Sequence, residues 1–343
     1  MRGRAGSLGV AVVGAGRIGL VHARLLAGRV PGAQLVRLLD DDPERAARAG
    51  HELGVAHGDS LDELFDDERV EAVVIATPPS SHGQLVRRAA AAGRPILCEK
   101  PLAHELGDAL AAVDAAEAAG VPLQVGYHRR FDADYVAAFE QVWSGELGHV
   151  HAFATAMRDE QPPPLARLRG ERLLLDAGSH DFDCIRWLLG EIVEVASFGR
   201  SDPRHGGEPR EPEHVVTVAR TAEGALGTIE TSRVSGYGFD CRTELVGTAG
   251  TVRVDRPHDD HVERRHAGVA QRPLHRDFHQ RFAAAYGAQL EAFVAVARGE
   301  AQPSPDGIDG VAAMRVGLAA EASLAAGGVP ITIAAGELTE ALR

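Results

Sequence analysis

The sequence predicts an α/β domain with a parallel sheet over residues 1–125, followed by an α+β domain with a mostly antiparallel sheet over 126–343. Three observations predict it. Up to about residue 126, short apolar runs alternate with helix-patterned segments, the grammar of a parallel sheet. A glycine-rich turn directly follows the first of those runs. Beyond it, strand-like segments with alternating residues and glycine-rich turns take over. A chain of 343 residues also exceeds what one core comfortably fills, about 250 to 300 residues.

Leu8 to Val13 reads as a buried strand and Ile18 to Gly28 as the helix after it. Gln34 to Leu39 is the second strand. Pro43 to Gly50 is a helix opening on proline, and Leu61 to Phe65 a short helix after Asp59-Ser60. Strand Val70 to Ala76, helix His82 to Ala92, strand Pro95 to Cys98, helix Glu105 to Ala119 and strand Leu123 to Gly126 complete the alternation. In the second domain a helix over Ala133 to Ser144 precedes strands near 149–157, 192–199, 213–220, 225–232, 240–246 and 251–254. Ser179 to Leu189 is its clearest early helix, and Phe278 to Arg298 and Asp306 to Ala326 form a helical tail. Gln161 to Gly170 and Ser201 to Pro212, rich in Pro and Gly, read as loops.

Composition narrows the function. The chain is 45% apolar and 25% charged, with a formal charge of −13, which disfavours nucleic acid and anionic membrane surfaces and leaves a small-molecule ligand. Cys98, Cys184 and Cys241 are scattered without a Cys-x-x-Cys spacing, so neither disulfides nor structural zinc are expected, and a reducing cytoplasm fits. The 16 histidines include His258, His261, His266, His275 and His279, but their spacing is irregular and their neighbours are charged. They read as polar surface or a loop edging the site, and no metal is expected.

Gly14-Ala15-Gly16-Arg17-Ile18-Gly19 follows a strand and opens a helix, the context a dinucleotide fingerprint requires. Gly14 permits the tight turn, Gly16 lets a pyrophosphate approach, and Gly19 lets helix and strand pack closely, with the helix N-terminus facing the phosphates. Asp40, 21 residues after Gly19, ends the second strand where a carboxylate accepts the ribose hydroxyls. Asp41 and Asp42 follow with no arginine beside them, so NAD is expected over NADP. Thr77, Pro78 and His82, at the turn after the fourth strand, and Glu99, after the fifth, are placed along the rest of the cofactor, Thr77 and His82 near the nicotinamide ribose.

Lys and Arg number 36, and Lys100 is the only lysine. Arginine serves surface charge equally well but cannot pass a proton, so a single retained amine in Glu99-Lys100-Pro101, at a strand end of a nucleotide fold, points to chemistry. Asp176 and His180 bracket the start of the Ser179 helix, four residues apart and so on one face, with Asp176 at or before the cap. Metal-free hydride transfer needs a base for the hydroxyl proton. His180 suits that role, Asp176 would orient substrate and hold Lys100 charged, and Lys100 would polarise the forming carbonyl.

These strings carry a resemblance. Gly-Ala-Gly-Arg-Ile-Gly at 14, Glu-Lys-Pro at 99, Gln-Val-Gly-Tyr-His-Arg-Arg-Phe-Asp at 124, Asp-x-x-x-His at 176 and Tyr-Gly-Phe-Asp at 237 resemble the Gfo/Idh/MocA oxidoreductases, and most their inositol 2-dehydrogenase branch. The resemblance implies a Rossmann domain joined to an open-faced sheet domain that builds homodimers or homotetramers. It implies NAD-linked oxidation of a ring hydroxyl of a polyol or sugar, with Lys100, Asp176 and His180 in the catalytic places and Arg130 and Tyr237 near substrate. In the substrate-side segment Met157-Arg158-Asp159-Glu160, Met157 stands where some inositol dehydrogenases carry a substrate-facing histidine, and Gly170-Glu171-Arg172 also departs from relatives. Loss of that hydrogen-bond partner would favour a deoxy, amino or differently configured polyol. A pyranose or ketose reductase of the same family, and a silent NAD-binding regulator, stay open; the joint presence of Lys100, Asp176 and His180 speaks against the second.

Overall fold

The computed structural model describes residues 6–160, 172–201, 212–255, 258 and 262–333. The loop expected over 161–170, most of that over 201–212, the Gly170-Glu171 departure and His261 lie outside the described residues. The chain forms two compact units, residues 1–131 with 284–311, and residues 132–283 with 312–343.

In the first unit the strands are β1 (Leu8–Val13), β2 (Ala33–Leu39), β3 (Ala56–Gly58), β4 (Ala72–Ile75), β5 (Ile96–Cys98) and β6 (Leu123–Val125). They form one sheet in the order β3-β2-β1-β4-β5-β6, and every pairing is parallel. The connecting helices are α1 (Arg17–Leu26), α2 (Pro43–Leu53), α3 (Leu61–Asp66), α4 (Pro79–Ala91) and α5 (Leu106–Ala118). All six residues of β1 are buried, as a central strand of a two-sided sheet requires. The short β3 goes unannounced in the sequence because Ala56-His57-Gly58 carries no apolar run.

Residues 284–311 return to this unit. Leu290, Phe293 and Val294 pack into the core of Val10, Val12, Leu26, Leu38 and Leu97, each apolar side chain stabilising by about 1.5–3 kcal/mol. A reading of two consecutive blocks misses this return, because nothing local marks a helix as belonging to a sheet far behind it.

The second unit holds α6 (Ala133–Trp143), β7 (Val150–Arg158), α7 (Leu173–Asp176), α8 (Ser179–Leu189), β8 (Ile192–Arg200), β9 (His214–Thr221), β10 (Leu226–Ser232), β11 (Asp240–Gly247) and β12 (Thr251–Asp255). A small hairpin of β13 (Arg264–His266) and β14 (Val269–Gln271) follows, then α9 (Phe278–Arg281). The long helices α10 (Ala283–Ala297) and α11 (Gly307–Ala325) and the short β15 (Ile331–Thr332) end the described chain. The expected helix over 278–298 is thus broken at Phe282, the C-cap of α9. The sheet order is β12-β11-β7-β10-β9-β8-β15, parallel only between β7 and β10. On β9, Val215, Thr217 and Ala219 are buried, while Val218 at 38% exposure, with Phe198 and Leu226, lies on the open face.

A buried ion pair ties α9 to the start of α6. Arg281 Nη1 donates to Asp132 Oδ2 at 2.8 Å, with Asp134 at 3.5 Å, and the Arg281 side chain is 1% exposed. Asp132→Ala strands a buried guanidinium with only the more distant Asp134. It is expected to destabilise the protein by about 3 kcal/mol in urea denaturation, and a loss below about 1 kcal/mol contradicts that reading.

Candidate active site

Because β2, β1, β4 and β5 are adjacent and parallel, their carboxyl ends share one edge of the sheet. That edge carries Asp40 after β2, the glycine turn after β1, Thr77 after β4 and Glu99-Lys100 after β5. Gly14 has φ +104, and a side chain there would meet the Ala76 carbonyl at 2.4 Å. A Cβ on Gly16 meets no protein atom within 4 Å, so that side of the turn is open to a ligand, whereas one on Gly19 falls 1.8 Å from the Gly14 carbonyl oxygen. Arg17 is exposed and Ile18 half-buried. The turn therefore fits a pyrophosphate closing onto bare backbone at the N-terminus of α1.

Asp40 is buried, and its carboxylate is already engaged. Ala15 N donates to Oδ2 at 2.6 Å and Asp42 N to Oδ1 at 2.9 Å, which fixes its rotamer beside the glycine turn. The structure corrects one expectation here: an arginine does lie alongside. Arg45 Nη1 is 3.3 Å from Asp40 and Nη2 3.2 Å from Asp42, because the first turn of α2, capped by Asp42, folds residue 45 back. Asp40→Ala should weaken NAD about tenfold, roughly 1.4 kcal/mol, and NADP by less, since Arg45 is then left to meet a 2′-phosphate. Direct titration of both nucleotides checks this; equal losses would remove Asp40 from the ribose.

Thr77 Oγ1 lies 2.7 Å from Ser81 Oγ, and Pro78 is exposed. His82 is 1% exposed, with Nε2 2.8 Å from the Thr77 carbonyl and Nδ1 2.8 Å from the Pro101 carbonyl. It is therefore a tie between the turns after β4 and β5 rather than a lining of the ribose. Burial pushes its imidazole below the usual histidine range, against the opposing pull of the two carbonyls. Glu99 is 6% exposed, and its Oε2 accepts the Lys100 backbone N–H at 3.3 Å. Arg130 meets Asp309 through both terminal nitrogens, at 3.0 and 2.9 Å, with its side chain 7% exposed.

In the second unit Asp176 ends α7, and the residue capping α8 is Gly178, with no side-chain cap. Asp176 thus lies before the cap, within the expected range. Ala177 and Gly178 keep right-handed helical angles, so Asp176 and His180 remain about one helical turn apart. His180 is 8% exposed, and the Asp176 side chain 44%. A residue the sequence reading missed sits beside them: Arg233, directly after β10, brings Nη2 to 3.4 Å of Asp176 Oδ2 with its side chain 6% exposed. Its only signal was its place among small residues four positions before Tyr237.

Met157 is buried near the end of β7, opposite Thr231 and Cys241. Asp159, half-buried, donates its backbone N–H to the Ser232 carbonyl at 2.9 Å. Tyr237 is 50% exposed; its hydroxyl donates to Asp240 at 2.6 Å and accepts from Arg158 at 2.8 Å. It lines a cavity of about 500 Å³ with Glu160, Ser235 and Arg276. Arg158 also pairs with Glu230 at 2.7 Å, which holds that carboxyl below its ordinary range. Of the expected histidine surface, His275 is buried. No group of three or more His, Cys, Asp or Glu among the described residues could hold a metal ion, and no described helix is long and apolar enough to cross a membrane.

The parallel sheet in this order, with its glycine turn and carboxylate, defines an NAD-binding oxidoreductase of the Rossmann kind. Residues 8–127 match the model "Oxidoreductase family, NAD-binding Rossmann fold", and residues 135–253 the Gfo/Idh/MocA C-terminal domain. The chain belongs to the Gfo/Idh/MocA oxidoreductase family, as its motifs had indicated. It is 34% identical over 331 residues to the scyllo-inositol 2-dehydrogenase (NAD(+)) of Bacillus subtilis, covering 94% of this chain and 95% of that protein. It is 40% identical over 340 residues to inositol 2-dehydrogenase 1 of Saccharopolyspora erythraea, covering 94% and 96%. The scyllo-inositol dehydrogenase of Lactobacillus casei, solved with NAD(H) and scyllo-inositol bound, superposes with a TM-score of 0.88 at 25% identity over 95% of this chain and 99% of that one.

Proposed function

We propose that the protein oxidises a ring secondary hydroxyl of a cyclic polyol to the ketone with NAD, with myo-inositol the leading substrate and the 2-keto-inositol its product. The observation that carries this reading is the sole lysine, set at the carboxyl end of β5 on the edge that also bears the glycine turn and Asp40. Gly14, Gly16, Gly19 and Asp40 hold the dinucleotide, with Arg17, Ile18, Thr77 and Pro78 along it. When bound, NAD supplies the acceptor for the hydride leaving the ring carbon.

His180 takes the hydroxyl proton as the carbon is oxidised, the general-base role that an imidazole fills. Asp176, steadied by Arg233, orients the polyol. Lys100 donates a hydrogen bond to the forming carbonyl oxygen. Tyr237 and Asp159 contact further hydroxyls, while Arg130, clamped by Asp309, supports the segment before α6. Met157 offers a thioether where a ring hydroxyl would otherwise find a partner, which favours a ring lacking, replacing or inverting one hydroxyl. The active protein is a homodimer or homotetramer of the cytoplasm.

The test is NADH formation, followed by absorbance, with NAD and a panel of inositol isomers, aminocyclitols and pyranoses. Turnover on a cyclitol is the expected result. Turnover on pyranoses alone replaces the cyclitol reading, and tight NAD binding with no turnover on any of them replaces the enzymatic one.

A further inference from the structure

We infer that His22 is a positioning residue for the Lys100 amine, acting through the Glu99 carboxylate; the inference rests on Lys100 being the group that meets the substrate oxygen. His22 lies on α1, one turn past the glycine turn, and is 0% exposed. An imidazole in such a place is costly unless a partner repays its lost hydration. Among the described residues its one hydrogen-bond partner is Glu99: Nε2 donates to Oε1 at 2.8 Å, and Nδ1 has none. The ring edge meets Tyr286 at 5.7 Å, and Tyr286 in turn stacks on His128 at 4.7 Å, so the imidazole cannot tilt away.

Glu99 is held on its other sides as well. Its backbone N–H donates to the Ile75 carbonyl at 2.9 Å, and Oε2 accepts from Lys100 N at 3.3 Å. A Cβ on Gly126 would fall 2.7 Å from Oε2, so glycine there leaves just the room this carboxylate needs. The Glu99 rotamer is thus set from α1 by a single donor, and its second oxygen fixes the backbone from which the Lys100 side chain leaves. Removing the donor leaves a buried carboxylate that must turn toward another partner, and the hold on Lys100 N goes with it. A shift of about 1 Å in a reacting group costs up to about 100-fold in rate.

The experiment compares His22→Leu, which fills similar space without a donor, with His22→Gln, whose amide can reach the same oxygen. The intact protein is used, with NAD and the fastest polyol of the panel. For the leucine variant kcat should fall about 10- to 100-fold while KM and the directly measured NAD Kd stay within about threefold, and the glutamine variant should recover most of the loss. Wild-type kcat in the leucine variant overturns the inference, as do equal losses in both variants or a loss carried by NAD Kd. If the leucine variant does not fold, Glu99→Gln takes its place, with the same kcat loss expected and wild-type kcat overturning. Lys100→Arg is measured alongside. Wild-type turnover there defeats the reading of Lys100 itself, whereas an inactive Lys100→Arg beside a fully active His22→Leu defeats only the role of His22.

Discussion

Lys100→Arg is expected to bind NAD as the wild type does and to lose turnover by about 10³-fold. The substitution keeps a positive charge at the carboxyl end of β5, so any role confined to attracting an anionic nucleotide survives it. It removes the compact ammonium that can give up a proton and substitutes a planar fork that stays charged throughout. The surroundings leave little room to adapt. Glu99 accepts the backbone N–H of residue 100, and His82 holds the next carbonyl, that of Pro101, at 2.8 Å. A longer, flat side chain leaving from a backbone fixed on both sides places its nitrogens elsewhere. The measurement pairs the rate of NADH formation with a direct titration of NAD, and a variant as fast as the wild type would sink the chemical role of Lys100.

What the sequence made legible was what lies close along the chain. The glycine turn, the strand before it and the helix after it are contiguous, and Asp40 is recognisable because a fixed βα unit separates it from Gly19. The parallel order of the sheet follows from the alternation itself. What stayed hidden depends on partners distant in the chain. The sequence places His82 along the nicotinamide ribose, and its neighbours in the chain give no sign of the Pro101 carbonyl, 19 residues on, that holds its ring. Arg130 sat in a string suggesting substrate contact, yet its guanidinium meets Asp309, 179 residues away. Arg45 escaped notice although it is only five residues from Asp40, because Pro43 and the Asp42 cap decide where the first turn of α2 points. The same holds for His22, which reads as an ordinary helical residue until Glu99, 77 residues later, arrives beside it.

Gly16→Ala and Gly19→Ala should fail in different ways, and the difference tests how the glycine turn works. A methyl on Gly16 meets no protein atom within 4 Å, so the variant should fold with a melting temperature within about 2 °C of wild type. The methyl instead occupies the open side of the turn, where the pyrophosphate must come within hydrogen-bond reach of backbone N–H groups, and NAD affinity should fall by about 100-fold or more. In Gly19→Ala the methyl falls 1.8 Å from the Gly14 carbonyl oxygen and 3.5 Å from Ala76 Cβ. Backbone cannot yield there as a flexible side chain would, so α1 must move off β1 and β4. That movement disturbs the core to which Ala23 and Leu26 contribute, and the cost should reach about 3 kcal/mol or more. Melting of the NAD-free protein and titration of NAD separate the two: Gly16→Ala loses the nucleotide and keeps its stability, and Gly19→Ala loses both. If both variants melt with the wild type and differ only in affinity, the close approach of α1 to the turn is not what Gly19 provides.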